Sequence, residues 1–176
     1  MQAGCTINYG RIPSRELAPK KEEKVATAAE QTEFDNSLRL YTYRQVVASG
    51  RAPTMAQAAK EMGCSEAEVR AAYARLSESH AFMLTEIGEL WRVAPFSAIP
   101  TAFPVESGGR IYYANCIWDA LGIPAMLGQD ATIPASCACC NLEMRLRVKA
   151  GSLLPHEGLI HVAVPARRWY EDVVFT

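Results

Sequence analysis

Arg110-Ile-Tyr-Tyr-Ala-Asn-Cys-Ile-Trp-Asp-Ala-Leu-Gly-Ile-Pro-Ala-Met-Leu-Gly128, followed closely by Cys137-Ala-Cys-Cys140, is the stretch around which the rest of this 176-residue chain is read. Asn115 is a favourable helix N-cap, which puts Cys116 in the first turn, where free backbone N–H groups and the helix dipole favour a thiolate over a thiol. Cys116 is therefore a candidate nucleophile or soft-metal ligand. Asp119 follows three residues later, so both side chains fall on one helix face and can address one ligand. Ala120, Leu121, Ile123 and Met126 supply an apolar face for a sheet, and Pro124 is expected to kink or end the first part of the helix. Taken alone, an N-terminal cysteine near an aspartate more commonly marks a small buried residue beside a solvated one.

Downstream, Ala131 to Cys137 reads as a short strand. Leu142 to Val148 alternates Leu142, Met144, Leu146 and Val148 inward against Glu143, Arg145 and Arg147 outward, and Leu159 to Val164 reads as a further apolar strand. A last strand is expected over Val173 to Thr176. Upstream, Ser97 to Pro104 reads as a linker that becomes an edge strand, and Ser107-Gly108-Gly109 as the turn that returns the chain through Arg110 to Ala114.

Between Ser37 and Phe96 the pattern is three helices and a hairpin. Leu38, Leu40, Tyr41, Tyr43, Val46 and Val47 mark a helix that Gly50 ends. Thr54 with Gln57, and Ser65 with Glu68, are capping boxes for helices over 55–62 and from 66 onward, the latter with a stripe of Val69, Ala72, Tyr73 and Leu76. Ala81 to Thr85 and Glu89 to Val93 then form a two-stranded wing. The fold class is α+β: a winged-helix-like three-helix domain over 37–97, then a mostly antiparallel sheet packed on a central helix over 98–176, with 1–36 as a disordered tail. A winged helix raises DNA binding as one function. Its recognition helix, however, opens with Glu66 and Glu68 and offers only Arg70 and Arg75 to phosphates, so nucleic acid is an unfavoured partner.

A net charge of −1 gives no electrostatic case for nucleic acid or membrane, and 49% apolar residues suffice for a core. No apolar run approaches 18 residues and no signal-like segment follows Met1, so the expected location is cytoplasmic. Six cysteines in a reducing compartment are not a disulfide framework. The Cys137-x-Cys139-Cys140 cluster lacks the second pair of a structural zinc site, which His156 or His161 would have to complete. Its members are either ordinary small turn residues, with Asn141 taking an unusual backbone angle, or sulfur ligands for a soft ion.

The run Tyr112, Tyr113, Cys116, Asp119, Leu121, Ile123 to Ala125, Leu127, Gly128, Ser136 and Cys137 resembles the alkylmercury lyase (organomercurial lyase) family. The resemblance is specific over 110–137 and consistent in order of elements from about residue 38. It implies an enzyme that cleaves a carbon–mercury bond by protonolysis to hydrocarbon and mercury(II), with Cys116 as mercury ligand and Asp119 as proton carrier. It also implies a scaffolding role for the helical N-terminal region and a mainly structural role for Cys137. Cys139 and Cys140 are candidates for a substitute second thiolate, because the family's further active cysteine, at its usual spacing, would fall just past Thr176. Tyr112, Tyr113 and Trp118, with Trp169, are candidate pocket walls for the organic group. No cofactor is required, mercury(II) is the bound product, and external thiols or a mercuric reductase would take it. The alternatives are a non-catalytic mercury- or metal-binding sensor and a winged-helix regulator.

Overall fold

The structure is a computed structural model that describes residues 27–137, 139–156, 158–162, 164–169 and 171. Helix α1 (Ala28–Ser49) begins well before the first apolar positions of its pattern. Its start signal is polar: Thr27 Oγ1 accepts from the Glu30 N–H, and the Glu30 carboxylate accepts from the Thr27 N–H at 2.8 Å, closing a capping box. Farther along, Asp35 accepts two hydrogen bonds from Arg75 at 2.7 and 2.8 Å, and Phe34 packs on the core. Helix thus replaces the expected tail from residue 28, where solvent-facing turns hide the apolar period. The portion of the tail before residue 27 lies outside the described residues.

Helices α2 (Met55–Met62) and α3 (Glu66–Glu78) carry the two capping boxes as read, and Gly50 and Gly63 close α1 and α2 in left-handed conformations. The buried face of α3 is Val69, Ala72, Tyr73 and Leu76. Strands β1 (Phe82–Leu84) and β2 (Leu90–Val93) form the expected hairpin, and β3 (Phe96–Ser97), at the junction with the expected linker, adds an unforeseen third antiparallel strand beside β2.

The second sheet is antiparallel throughout, with strand order β5-β4-β6-β7-β8. Its members are β4 (Pro104–Ser107), β5 (Arg110–Tyr113), β6 (Ala131–Ser136), β7 (Glu143–Lys149) and β8 (Ser152–Leu153). β4 sits inside the sheet between β5 and β6, so the edge position expected for the segment after Ser97 belongs to β5 instead. In β7, Leu146 and Val148 are buried and Arg145 and Arg147 exposed, as the alternation demands, but Leu142 lies outside the strand and is 65% exposed.

Helix α4 (Ile117–Leu127) packs on β4 and β6 through Ala120, Ile123 and Pro124. Those positions follow the i, i+3, i+4 rule, and Met126, expected on the same face, is half exposed. Pro124 does not end the helix, which continues to Leu127. An internal proline loses one backbone hydrogen bond, and full burial of its ring against the sheet offsets that loss here.

The expected strand over Leu159 to Val164 does not form: its described residues carry no strand pairing, and Leu159 is 98% exposed. The sheet ends at the two-residue β8, followed closely by Pro155, whose missing N–H cannot extend a ladder. A 3-10 turn at Ala166–Arg168 is the last described element, and the expected strand over 173–176 lies outside the described residues.

The helical part and the second sheet share one hydrophobic cluster that extends from Leu38 to Val148. Tyr112 on β5 donates its hydroxyl to the Val47 carbonyl of α1 at 3.0 Å, and its ring meets Phe96 at 5.5 Å. A bridge between Phe96 and Ala114 joins the two sheets. A Cβ at Gly50 would stand 2.8 Å from the Ile111 carbonyl oxygen, so glycine lets the end of α1 close against β5. These contacts tie β5 and Ala114, which lead into α4, to α1 and the small sheet.

Candidate functional site

β5 and β6 both pair antiparallel with β4 and therefore run in the same direction. Cys116 follows the end of β5 and Cys137 the end of β6, so both sulfur groups lie at one end of the sheet, on strands about 10 Å apart. A groove of about 630 Å³ lies at the other end, around the Gly108-Gly109 turn, lined by Glu106, Arg110, Asp130, Arg147 and Lys149 among others, and it contains no sulfur.

Cys116 is itself the N-cap of α4, with extended backbone angles (φ −152°, ψ 179°) and no side-chain cap bond. Asn115, read as the cap, has a different task. Its Nδ2 donates to the Pro95 and Phe96 carbonyls at 3.1 and 3.3 Å and to Asp119 Oδ2 at 3.0 Å, tying the loop before β3 to the carboxylate. Three acceptors on one side leave Asn115 Oδ1 buried without a hydrogen-bond partner among the described residues.

The Cys116 and Asp119 side chains meet, as their spacing predicts. Burial raises the Cys116 thiol above its ordinary pKa, and the charge of Asp119 adds to the rise. The Asp119 and Trp118 backbone N–H groups favour the thiolate, as expected at a helix start, but burial outweighs them. The expectation of a thiolate-favouring environment is therefore corrected: the free Cys116 rests as a thiol. Burial likewise raises the Asp119 pKa against the lowering effects of Asn115, the positive charge of Arg92 and the Cys116 thiol.

Arg92, on β2, is the residue that sequence reasoning missed. Its guanidinium is half buried, lies 4.4 Å from the centroid of the Trp91 ring, and feels the charges of Asp119 and Cys116. Its only sequence signal is a charged residue within a short, otherwise apolar strand, and nothing there connects it to a helix some two dozen residues later.

The proposed aromatic walls divide. Tyr112 is 2% exposed and committed to α1 and Phe96, which withdraws it from any open pocket. Tyr113 is half buried, whereas Trp118 is 58% exposed and meets Trp169 edge-on at 6.2 Å. The Trp169 indole N–H donates to the Val164 carbonyl at 2.7 Å, so this pair brings the segment around the 3-10 turn to the start of α4.

The second sulfur group sits in the β6–β7 loop. The Cys137 N–H donates to the Leu142 carbonyl at 2.9 Å and the Asn141 N–H to the Cys137 carbonyl at 2.8 Å, while Asn141 takes the left-handed angle expected of it (φ 59°). Cys137 Sγ lies 3.1 Å from Cys139 Sγ, and the sulfurs of Cys137, Cys139 and Cys140 all lie within 4.8 Å of one another. Hydrogen bonds from the Cys139 thiol, the Cys139 and Cys140 backbone N–H groups and the Cys140 thiol pull the Cys137 pKa down to about 7. Among the described residues this group is made of these three sulfurs alone. Neither His156 nor His161 completes a zinc set, and Cys116 stands outside it.

On the helical side, Arg70 donates to the Ile87 carbonyl in the wing turn, and Arg75 is paired with Asp35. Both basic residues of α3 thus have internal tasks. No helix is long and apolar enough to cross a membrane among the described residues.

Residues 96–176 match the family model described as alkylmercury lyase. Among solved structures, the mercury-bound form of MerB2 is similar at a TM-score of 0.53 and 20% sequence identity, over 73% of this chain and 67% of that one. No curated protein matches the chain by sequence.

Proposed function

We propose, on the premise that residues 96–176 belong to the alkylmercury lyase family, that this protein cleaves carbon–mercury bonds by protonolysis. The observation that carries the reading is the meeting of the Cys116 thiol and the Asp119 carboxyl group, each made less acidic by burial, at the start of α4. An organomercurial held by an external thiolate presents a carbon that becomes more basic as sulfur donates to the metal. Cys116 gives its proton to Asp119 as its sulfur binds mercury, and Asp119 delivers that proton to carbon. The S–H and carbon–mercury bonds break, and the sulfur–mercury and C–H bonds form. The products are a hydrocarbon and mercury(II) held between Cys116 and the external thiolate.

The environment suits this order of events. Burial disfavours both the free thiolate and the free carboxylate, so the proton stays in the pair until a soft cation takes the sulfur. The Asn115 amide holds the carboxylate through its 3.0 Å hydrogen bond, and the positive charge of Arg92 favours the ionised form, which keeps it available as an acceptor. Tyr113 and Trp118, close in sequence to the pair and not fully buried, are the aromatic side chains proposed to offer apolar surface to the organic group. Mercury(II) then leaves to external thiols or a mercuric reductase, and the protein works in the cytoplasm. That a similar fold is described in a mercury-bound form supports mercury as the ion. The DNA-binding alternative loses support because Arg70 and Arg75 are engaged within the fold.

The test is single-turnover hydrocarbon release from a simple organomercurial in excess thiol. Release that vanishes in Cys116→Ser and falls sharply in Asp119→Ala supports the reading. Tight, Cys116-dependent binding without hydrocarbon would replace it with a binding or sensing role.

A further inference from the structure

The cysteines of the β6–β7 loop are not used in the reaction above, and their geometry suits another task. Three sulfurs at the usual zinc–thiolate length of about 2.3 Å from one ion stand about 4 Å apart in a trigonal plane. The observed sulfurs all lie within 4.8 Å of one another, and the 3.1 Å contact between Cys137 and Cys139 opens by about 1 Å to reach that spacing. The Cys137–Leu142 and Asn141–Cys137 backbone bonds hold the two ends of the loop together, which keeps the three cysteines on one short turn. Cys139 and Cys140 are exposed, which gives an ion or a thiol-bound complex direct access.

We propose that Cys137, Cys139 and Cys140 form a three-thiolate site for mercury(II), distinct from Cys116. A zinc site wants four ligands in a tetrahedron, and among the described residues no fourth donor joins the group, whereas soft ions are satisfied by few thiolates. Binding displaces the thiol protons to solvent, forms three sulfur–metal bonds and leaves oxidation states unchanged. The choice of mercury(II) as the ion rests on the proposed function. The site lies at the same end of the sheet as Cys116, where an ion released from the reaction would first meet protein thiols.

The experiment titrates mercury(II) into the full chain in the presence of a competing monothiol and follows the sulfur-to-metal charge-transfer absorption that separates three-sulfur from two-sulfur coordination. Cys116→Ser should keep one equivalent with the three-sulfur band. Cys139→Ser/Cys140→Ser should lose that band and bind mercury(II) at least tenfold more weakly at this loop, with an unchanged circular dichroism spectrum. A three-sulfur band that survives in the double variant, or is absent from folded Cys116→Ser, overturns the proposal. Hydrocarbon release, measured separately on the unsubstituted chain, reads the lyase function alone: absence of hydrocarbon with an intact three-sulfur band would remove the reaction and leave this site standing.

Discussion

Cys116 and Cys137 follow the ends of β5 and β6, which run in the same direction on either side of β4, yet their surroundings push them in opposite directions. At Cys116, burial outweighs the backbone donors of a helix start and the thiol is raised. At Cys137, in an open loop, thiol and backbone donors meet little opposing burial and the pKa falls to about 7. A helix N-terminus is thus not enough to make a thiolate. What decides is whether the donors face water or an enclosed, partly apolar site. The first environment suits a proton that must be kept until it is used, and the second suits a sulfur that must capture an ion at once.

The sharpest way to break this contrast is to remove the proton carrier from one site and the sulfurs from the other. Asp119→Asn should slow single-turnover hydrocarbon release by about 10²- to 10⁴-fold, the usual range for a positioned acid–base group. Cys139→Ser/Cys140→Ser should leave that rate within about twofold, because neither sulfur joins Cys116. A comparable loss in both would mean that the two regions form one site.

Stability should divide along the same line. Ile123 is fully buried where α4 meets the sheet, so Ile123→Ala should cost about 2–5 kcal/mol in urea unfolding. The exposed loop substitutions at Cys139 and Cys140 should stay within about 0.5 kcal/mol. An equal cost for both would show the loop to be part of the core.

Alkylation kinetics read the two thiols directly. Cys137 should react with a midpoint near pH 7, moving upward in Cys139→Ser, while Cys116 should react with a midpoint above the ordinary thiol value. Coinciding midpoints would erase the contrast.

The smallest effect concerns Asp119. Its pKa is raised on folding, so its contribution to stability is fully present below the unfolded carboxyl pKa and is lost as pH rises through the folded one. Asp119→Asn should therefore be as stable as the parent chain or slightly more so at pH 7, with that advantage shrinking as the pH falls through the carboxyl range. A variant less stable at pH 7 would show that the carboxylate is there to hold the fold.

Much of this was legible in the sequence because the signals were local. Capping pairs fixed α2 and α3, the Gly108-Gly109 turn fixed the β4–β5 hairpin, and the Cys116–Asp119 spacing placed two side chains on one face. The misses were non-local. The first turns of α1 are tied to α3 by Asp35 finding Arg75 across forty positions, the missing strand at 159–164 turns on whether a sheet edge was available, and the protonation of Cys116 on burial. Arg92 reaches the site from another sheet altogether, which no spacing along the chain announces.

The most direct test keeps Cys116 as the sole cysteine by changing the other five of the six, at 5, 64, 137, 139 and 140, to serine. After circular dichroism confirms the fold, one turnover is run with an organomercurial and excess external thiol, and the hydrocarbon is counted. One equivalent per chain is the predicted result, because Cys116, Asp119 and an external thiolate complete the reaction. A folded variant that binds the organomercurial and releases no hydrocarbon would contradict the account, since a second protein sulfur would then be required.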